Sequence, residues 1–176
     1  PALLGTDDYY HTRIAAQIIE QRRLALNFPW LPLTILSPQQ FVDHHLLYHI
    51  YIAPWAYYGG ITGVKLAQAG VMAGLIVAFW SLLRLLNVRF ATLWTIALFG
   101  LSVPFLYRIL MIRTQGAAVL LMLVALHLLF RQRYRWLIVA AFAFTWLYHG
   151  FILLPAIAGL YLLAAWITDR RLVWQP

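Results

Sequence analysis

Polar and apolar positions divide the chain near residue 45, with a mixed stretch before it and long apolar blocks after it. Thr6-Asp7-Asp8 has the composition of a helix start, because Thr6 can cap free N–H groups and both carboxylates suit the positive end of the helix dipole. From Tyr9 to about Leu26 the spacing predicts an amphipathic helix, with Tyr10, Ile14 and Ile18 on one face and Arg13, Gln17, Glu20 and Gln21 largely elsewhere. That pattern suits a helix lying flat on a membrane surface. Phe28-Pro29-Trp30-Leu31-Pro32 predicts extended backbone, since each proline disfavours helix in the residue before it. Ser37-Pro38-Gln39-Gln40 restarts a helix, with Ser37 as cap, Pro38 at the first position and Gln40 completing a capping box. This helix carries Asp43, His44, His45 and His49 and turns apolar to about Tyr58; Pro54 kinks it and Gly59-Gly60 ends it. Four apolar blocks follow, 66–86, 91–107, 116–130 and 136–167, the last split by His149-Gly150 into 136–148 and 151–167. The alternation that marks strands is absent, so the pattern predicts an all-α fold, a polytopic transmembrane helix bundle. Residues 1–45 form its external loop of surface helices, and residues 46–176 form its membrane region.

Composition narrows the class. The 176 residues are 64% hydrophobic and 10% charged with no cysteine, whereas soluble domains carry about a quarter charged residues. This excludes a soluble globule, a disordered chain, a disulfide scaffold and a cysteine metal site. Of the 13 basic residues 12 are arginine, for a net charge of +8. The arginines lie between apolar blocks instead of along one stripe, which points to lipid headgroups and membrane topology and away from nucleic acid. The chain opens at Pro1 directly into the polar stretch, and we read it as part of a longer protein whose first membrane segment lies outside this sequence.

Sidedness follows from the basic clusters. Arg131, Arg133 and Arg135, and then Arg170-Arg171, are expected in the cytoplasm, with His149 outside. If Asp43 is also outside, the four blocks 46–58, 66–86, 91–107 and 116–130 give one crossing too many before Arg131. Gly100, Ser102 and Pro104 interrupt 91–107, so we expect that block to stay on one side, leaving Arg108 and Arg113 with Asp43.

The few acids are informative. Asp7 and Asp8, with Asp43, could supply oxygen ligands to a divalent cation, Mg²⁺ or Mn²⁺, and the bland alternative is that Asp7 and Asp8 only cap a helix. His45 and His49 share a helix face and could flank a phosphate or a metal, or else sit among headgroups bonded to water. Arg108 and Arg113 are either headgroup anchors or guanidinium ligands for a lipid-linked phosphate. His127, inside an apolar block, is expected to bond between helices. Trp30, Trp55, Trp94, Trp146 and Tyr57-Tyr58 fit an interfacial aromatic belt.

Gly5-Thr-Asp-Asp-Tyr-Tyr-His-Thr-Arg-Ile-Ala15 resembles the start of the first external loop of GT-C membrane glycosyltransferases, such as oligosaccharyltransferase catalytic subunits and protein mannosyltransferases. Leu106-Tyr-Arg-Ile-Leu-Met-Ile-Arg-Thr-Gln-Gly116 resembles their later arginine-bearing turn near the active site. The resemblance covers most of the chain in layout and about 25 residues in motif; the family's first span, later acids and C-terminal soluble domain have no counterpart here. It implies transfer of a sugar from a polyprenyl-phosphate donor to an acceptor outside the cytoplasm, in a bacterial inner membrane. Asp7 or Asp8 would be the catalytic carboxylate, and Arg108, Arg113, His45 and His49 would bind the phosphate. A non-catalytic subunit packed on other membrane subunits, or a small transporter or lipid-binding module using Asp43 and His45, are the competing expectations.

Overall fold

The computed structural model describes residues 3–26 and 42–169. The extended stretch expected at 28–32 and the helix start expected at Ser37 lie outside the described residues, as do Arg170 and Arg171. The fold is all-α, with seven helices among the described residues: α1 Thr6–Gln21, α2 Leu46–Leu85, α3 Ala91–Leu101, α4 Val103–Leu110, α5 Thr114–Phe130, α6 Tyr134–Leu147 and α7 Leu153–Asp169.

α2 is a hairpin of two limbs. Gly60 takes φ 54° and ψ −140°, which glycine adopts without a steric penalty, and the helix reverses there. The Tyr48 hydroxyl donates to Gln68 Oε1 at 3.1 Å and the Tyr51 hydroxyl donates to the Ala67 carbonyl at 2.8 Å. Twenty residues of straight helix would separate Tyr48 from Gln68 by about 30 Å, so the limb 46–59 must fold back on the limb 61–85. Gly63 permits the closure, because a Cβ there would overlap the Trp55 carbonyl oxygen. The expected stop at Gly59-Gly60 is therefore a reversal.

α1 lies across this hairpin. Its Ile14, Ala15 and Ile18 pack with Tyr48, Ile52 and Ala53 of the first limb and with Val64 and Ala67 of the second. The buried face is rotated from the expected one. Asp8 and His11 point inward, while Tyr10 remains 40% exposed. Gly5, not Thr6, is the N-cap.

The other helices run between two ends of a bundle. At one end the Gln68 side chain donates from Nε2 to the Ile109 carbonyl at 2.6 Å, beside Gly116. At the other, Trp80 Nε1 donates to Thr92 Oγ1 at 3.1 Å and Ser81 Oγ lies 3.1 Å from His127 Nε2, the interhelical bond expected of that histidine. α3 and α4 are bent by 80° across Ser102, yet together they carry the chain from the Trp80 level back to the Gln68 level. The limb 46–59 stays beside the start of the limb 61–85, and the segment 91–107 is divided at Ser102 into a bent pair, as its Gly100, Ser102 and Pro104 lead one to expect. Leu147 ends α6 and Leu153 starts α7, so the division at His149-Gly150 is present.

The run Leu46–Leu85 is long and apolar enough to cross a membrane, and α3 with α4 is so if the bent pair forms one span. After the reversal the limb 61–85 keeps 25 residues, above the roughly 20 a crossing needs. α5, α6 and α7 are apolar but shorter, at 17, 14 and 17 residues.

Candidate functional site

The site is built where α1 meets the α2 hairpin and the turn between α4 and α5. Asp8 occupies the third position of α1, where its Oδ2 accepts the backbone N–H groups of Leu4 at 3.2 Å and Gly5 at 3.1 Å. Those bonds pair two N–H groups that the helix start would otherwise leave open. The capping role is real, but it uses one oxygen. Asp8 is 1% exposed and its Oδ1 is buried with no hydrogen-bond partner. A buried acceptor left unpaired costs roughly 1–3 kcal/mol, so this oxygen is held at a cost to stability. Asp8 lines a cavity of about 280 Å³ together with Lys65, Gln68, Leu110 and Ile112.

Asp7 points the other way. Its side chain is 58% exposed and its Oδ2 accepts from Arg113 Nη2 at 2.8 Å. Arg113 is the N-cap residue of α5. The position a Cβ of Gly5 would take lies 3.5 Å from Asp8 Oδ1 and 3.7 Å from Arg113 Nη2, which places both charges around one glycine. Arg113 Nε is buried without a partner, so the guanidinium keeps donor capacity beside the Asp8 carboxylate. Arg108 is exposed on α4.

A second polar group adjoins the first. Asp43 Oδ1 accepts the His45 backbone N–H at 2.9 Å, and its Oδ2 lies 2.6 Å from His49 Nδ1, which donates to it. The other nitrogen of His49, Nε2, lies 2.7 Å from His11 Nδ1. Asp43, His49 and His11 thus form one continuous string. His49 is fully buried, and with both ring nitrogens engaged it has none left for a phosphate oxygen. His45 Nδ1 faces the Leu147 carbonyl at 3.3 Å, and its ring stacks edge-on against His149 at 4.3 Å. His44 lies 5.2 Å from His149, so five of the six histidines gather at this end.

Environment sets the protonation of these groups. Burial, followed by the charges of His49, His45 and Arg113, pushes His11 down to about 3. Burial pushes Asp43 up, but the hydrogen bond and charge of His49 and the His45 N–H outweigh it and hold the carboxyl below its usual range. His45 is lowered chiefly by burial, partly offset by its bond to Leu147.

The three acids expected to share a cation are not gathered. Asp7 is taken by Arg113 and Asp43 by His49, and among the described residues no three His, Asp or Glu side chains converge to hold a metal ion. The sequence brought forward Asp7, Asp8, Arg113, Asp43, His45 and His49, all of which meet here, while Arg108 does not. Lys65, His11 and Gln68 carry no expectation of a site role, and His149 carries one only as a helix break and a marker of sidedness. Lys65 has a signal: it is the single lysine of the chain, placed at the edge of an apolar block.

Comparison with known proteins finds no matching family model, no matching curated relative and no matching solved structure.

Proposed function

We propose that this chain is a GT-C-like membrane glycosyltransferase that moves a sugar from a polyprenyl-phosphate donor to an acceptor on the non-cytoplasmic side. The observation that carries the reading is the Asp8 carboxylate, buried with one oxygen unpartnered, lining a cavity with Lys65 and flanked by Arg113. In this reading an acceptor hydroxyl binds in the cavity that Asp8 lines, and the Asp8 carboxylate takes its proton as the oxygen attacks the anomeric carbon. Lys65 and Arg113 stabilise the negative charge on the departing phosphate. Asp7 holds Arg113 in place.

The chain is then a polytopic bundle in a membrane, on our reading the bacterial inner membrane. Arg84, Arg89, Arg131, Arg133 and Arg135 cluster at the end opposite the site, because Arg84 and Arg131 each lie about one turn beyond the bonded pair Ser81 and His127. Positive-inside bias puts that end in the cytoplasm and residues 1–45 outside it. Leu101, Trp136, Ile138, Phe142 and Leu160 expose large apolar surfaces that suit lipid tails. The same faces suit other membrane subunits, which is what favours the second reading, a non-catalytic subunit of a larger complex.

Asp8→Asn and Asp7→Asn, assayed for glycan transfer in membranes with native lipid-linked donors, test the proposal. Loss of general-base chemistry lowers transfer by roughly 10²–10⁴-fold in Asp8→Asn, with a smaller loss in Asp7→Asn. Full transfer in Asp8→Asn at equal protein level would remove the catalytic reading.

A further inference from the structure

At the end opposite the site, a larger space lies between the limb 61–85 and the bent pair α3 and α4. It is a cavity of about 690 Å³, within the range of pockets that hold ligands, walled by Phe79 and Leu83 of the limb, Val88 of the turn, Trp94 and Leu101 of α3 and Pro104 of α4. Ser102 supplies the one hydroxyl on its walls. The frame around it is tied: Trp80 Nε1 donates to Thr92 Oγ1 at its base, and the rings of Phe79, Phe99 and Phe105 stack from the limb through α3 to α4 at 6.2 and 5.6 Å. Its side is open, because Leu101 is 83% exposed and Trp94 56% exposed although both are walls. Leu83 and Val88 are the chain neighbours of Arg84 and Arg89. The Arg84 guanidinium lies over the Trp80 ring at 5.9 Å and that of Arg89 over the Phe90 ring at 4.6 Å. Both arginines are exposed, and no ion pair joins either to a carboxylate among the described residues.

We infer that this cavity binds one acyl chain of an anionic phospholipid from the leaflet at the arginine end, with the lipid's phosphate held by Arg84 and Arg89. The inference needs the bundle to lie in a membrane, as proposed above, and is independent of the chemistry at Asp8. The two parts of the site do different work. Lipid tails are as apolar as leucine, so a chain gains nothing in hydrophobicity by leaving the bilayer for the cavity. What the cavity offers is packing, since a flexible chain restores the dispersion contacts that an empty space forfeits. Selection of the headgroup falls to the arginines. Their aromatic supports hold two unpaired guanidinium forks where a phosphate can be met by parallel N–H groups. A soluble anion would use the arginines alone, and a neutral lipid the cavity alone. A helix of another subunit, about 10 Å across, would need a groove running on past α3, whereas α4 leaves at 80° and bounds the space at Ser102 and Pro104.

The full chain, purified in an uncharged detergent, is titrated with dioleoylphosphatidylglycerol and with dioleoylphosphatidylcholine, and bound lipid is counted by native mass spectrometry. One phosphatidylglycerol should bind saturably and more tightly than phosphatidylcholine, whose tails are the same. The double change Arg84→Gln, Arg89→Gln should weaken phosphatidylglycerol by about 10–30-fold, a few-fold for each guanidinium lost. Arg131→Gln with Arg133→Gln removes the same charge at the same end, away from the cavity, and should cost less than about threefold. Ala97→Phe fills the cavity and leaves both arginines, so it should weaken both lipids at an unchanged melting temperature. Millimolar inorganic phosphate should leave the bound lipid in place. Equal affinity for the two lipids, equal losses in the two arginine pairs, or displacement by inorganic phosphate would overturn the site. So would wild-type lipid binding in a folded Ala97→Phe chain; if that variant does not fold, the two exposed arginine pairs still decide. These readouts involve no glycan transfer, so a chain inactive in transfer and a chain without this lipid site are told apart.

Discussion

At the scale of single residues, His11 is the group whose titration should be felt first. It is buried on α1, faced by His45, His49 and Asp43 of the α2 start, by Arg113 of the α4–α5 turn and by Tyr10 of its own helix. Folded, it binds a proton only near pH 3, whereas the unfolded chain binds one near the ordinary 6.5. Between those values the unfolded state holds more protons, so stability falls as pH falls, at up to about 1.4 kcal/mol per pH unit. His45 is lowered too and adds in the same direction. Asp43 is depressed below the usual carboxylate range, so its contribution is present above that range and is lost only at lower pH. Thermal unfolding of the detergent-solubilised chain should therefore drop steadily from pH 6.5 to 4.5, and His11→Gln should flatten most of that drop. An unchanged slope in His11→Gln would mean that His11 is not held neutral by the fold. Asp8 separates two roles at the same scale. Asp8→Ala removes both cap bonds and should cost about 1 kcal/mol, whereas Asp8→Asn keeps the shape, loses less stability and still loses transfer. Parallel melting curves and transfer rates for the two variants check this.

Among the elements, the hairpin at Gly60 decides where the site lies. Folding 46–59 back on 61–85 sets Tyr48 against Gln68 and brings His49 to His11. An alanine at Gly60 would have to keep φ 54°, strain worth about 1–3 kcal/mol. Gly60→Ala should lower the melting temperature and weaken the Tyr48–Gln68 closure, read as faster amide exchange over 61–68. A melting point matching wild type would argue that the limbs part without cost. The sequence carried the break itself, in the Gly59-Gly60 pair, and the split at His149-Gly150, because glycine is a strong local signal. It could not carry the direction taken after the break, since a stop and a reversal use the same residue. The inward face of α1 differs from the one its apolar spacing predicts for a related reason. Periodicity rewards apolar residues, and Tyr10, Ile14 and Ile18 made the better stripe, but the buried face opens with Asp8 and His11. A polar start to a buried stripe is what a buried polar site leaves in a pattern of apolar spacing.

For the whole molecule, the two ends differ in charge, and that difference fixes a testable orientation. Asp7, Asp8, Asp43 and the five clustered histidines stand at one end, and Arg84, Arg89, Arg131, Arg133 and Arg135 at the other. Three lengthwise passes separate Asp43 from Arg131: the limb 61–85, the bent pair α3 and α4, and α5. An odd number puts them on opposite sides if each pass crosses. The chain has no cysteine, so single introduced thiols report cleanly. Val42 is exposed beside the site and Gln132 is exposed in the arginine turn, and neither takes part in the proposed chemistry. In intact cells a membrane-impermeant maleimide should label Val42→Cys directly and Gln132→Cys only after permeabilisation. Labelling of both from outside would mean that one pass, most simply the bent pair, turns back within the membrane. The arginine end would then share a face with the carboxylates, and the separation of a cytoplasmic basic end from an external reacting end would be lost.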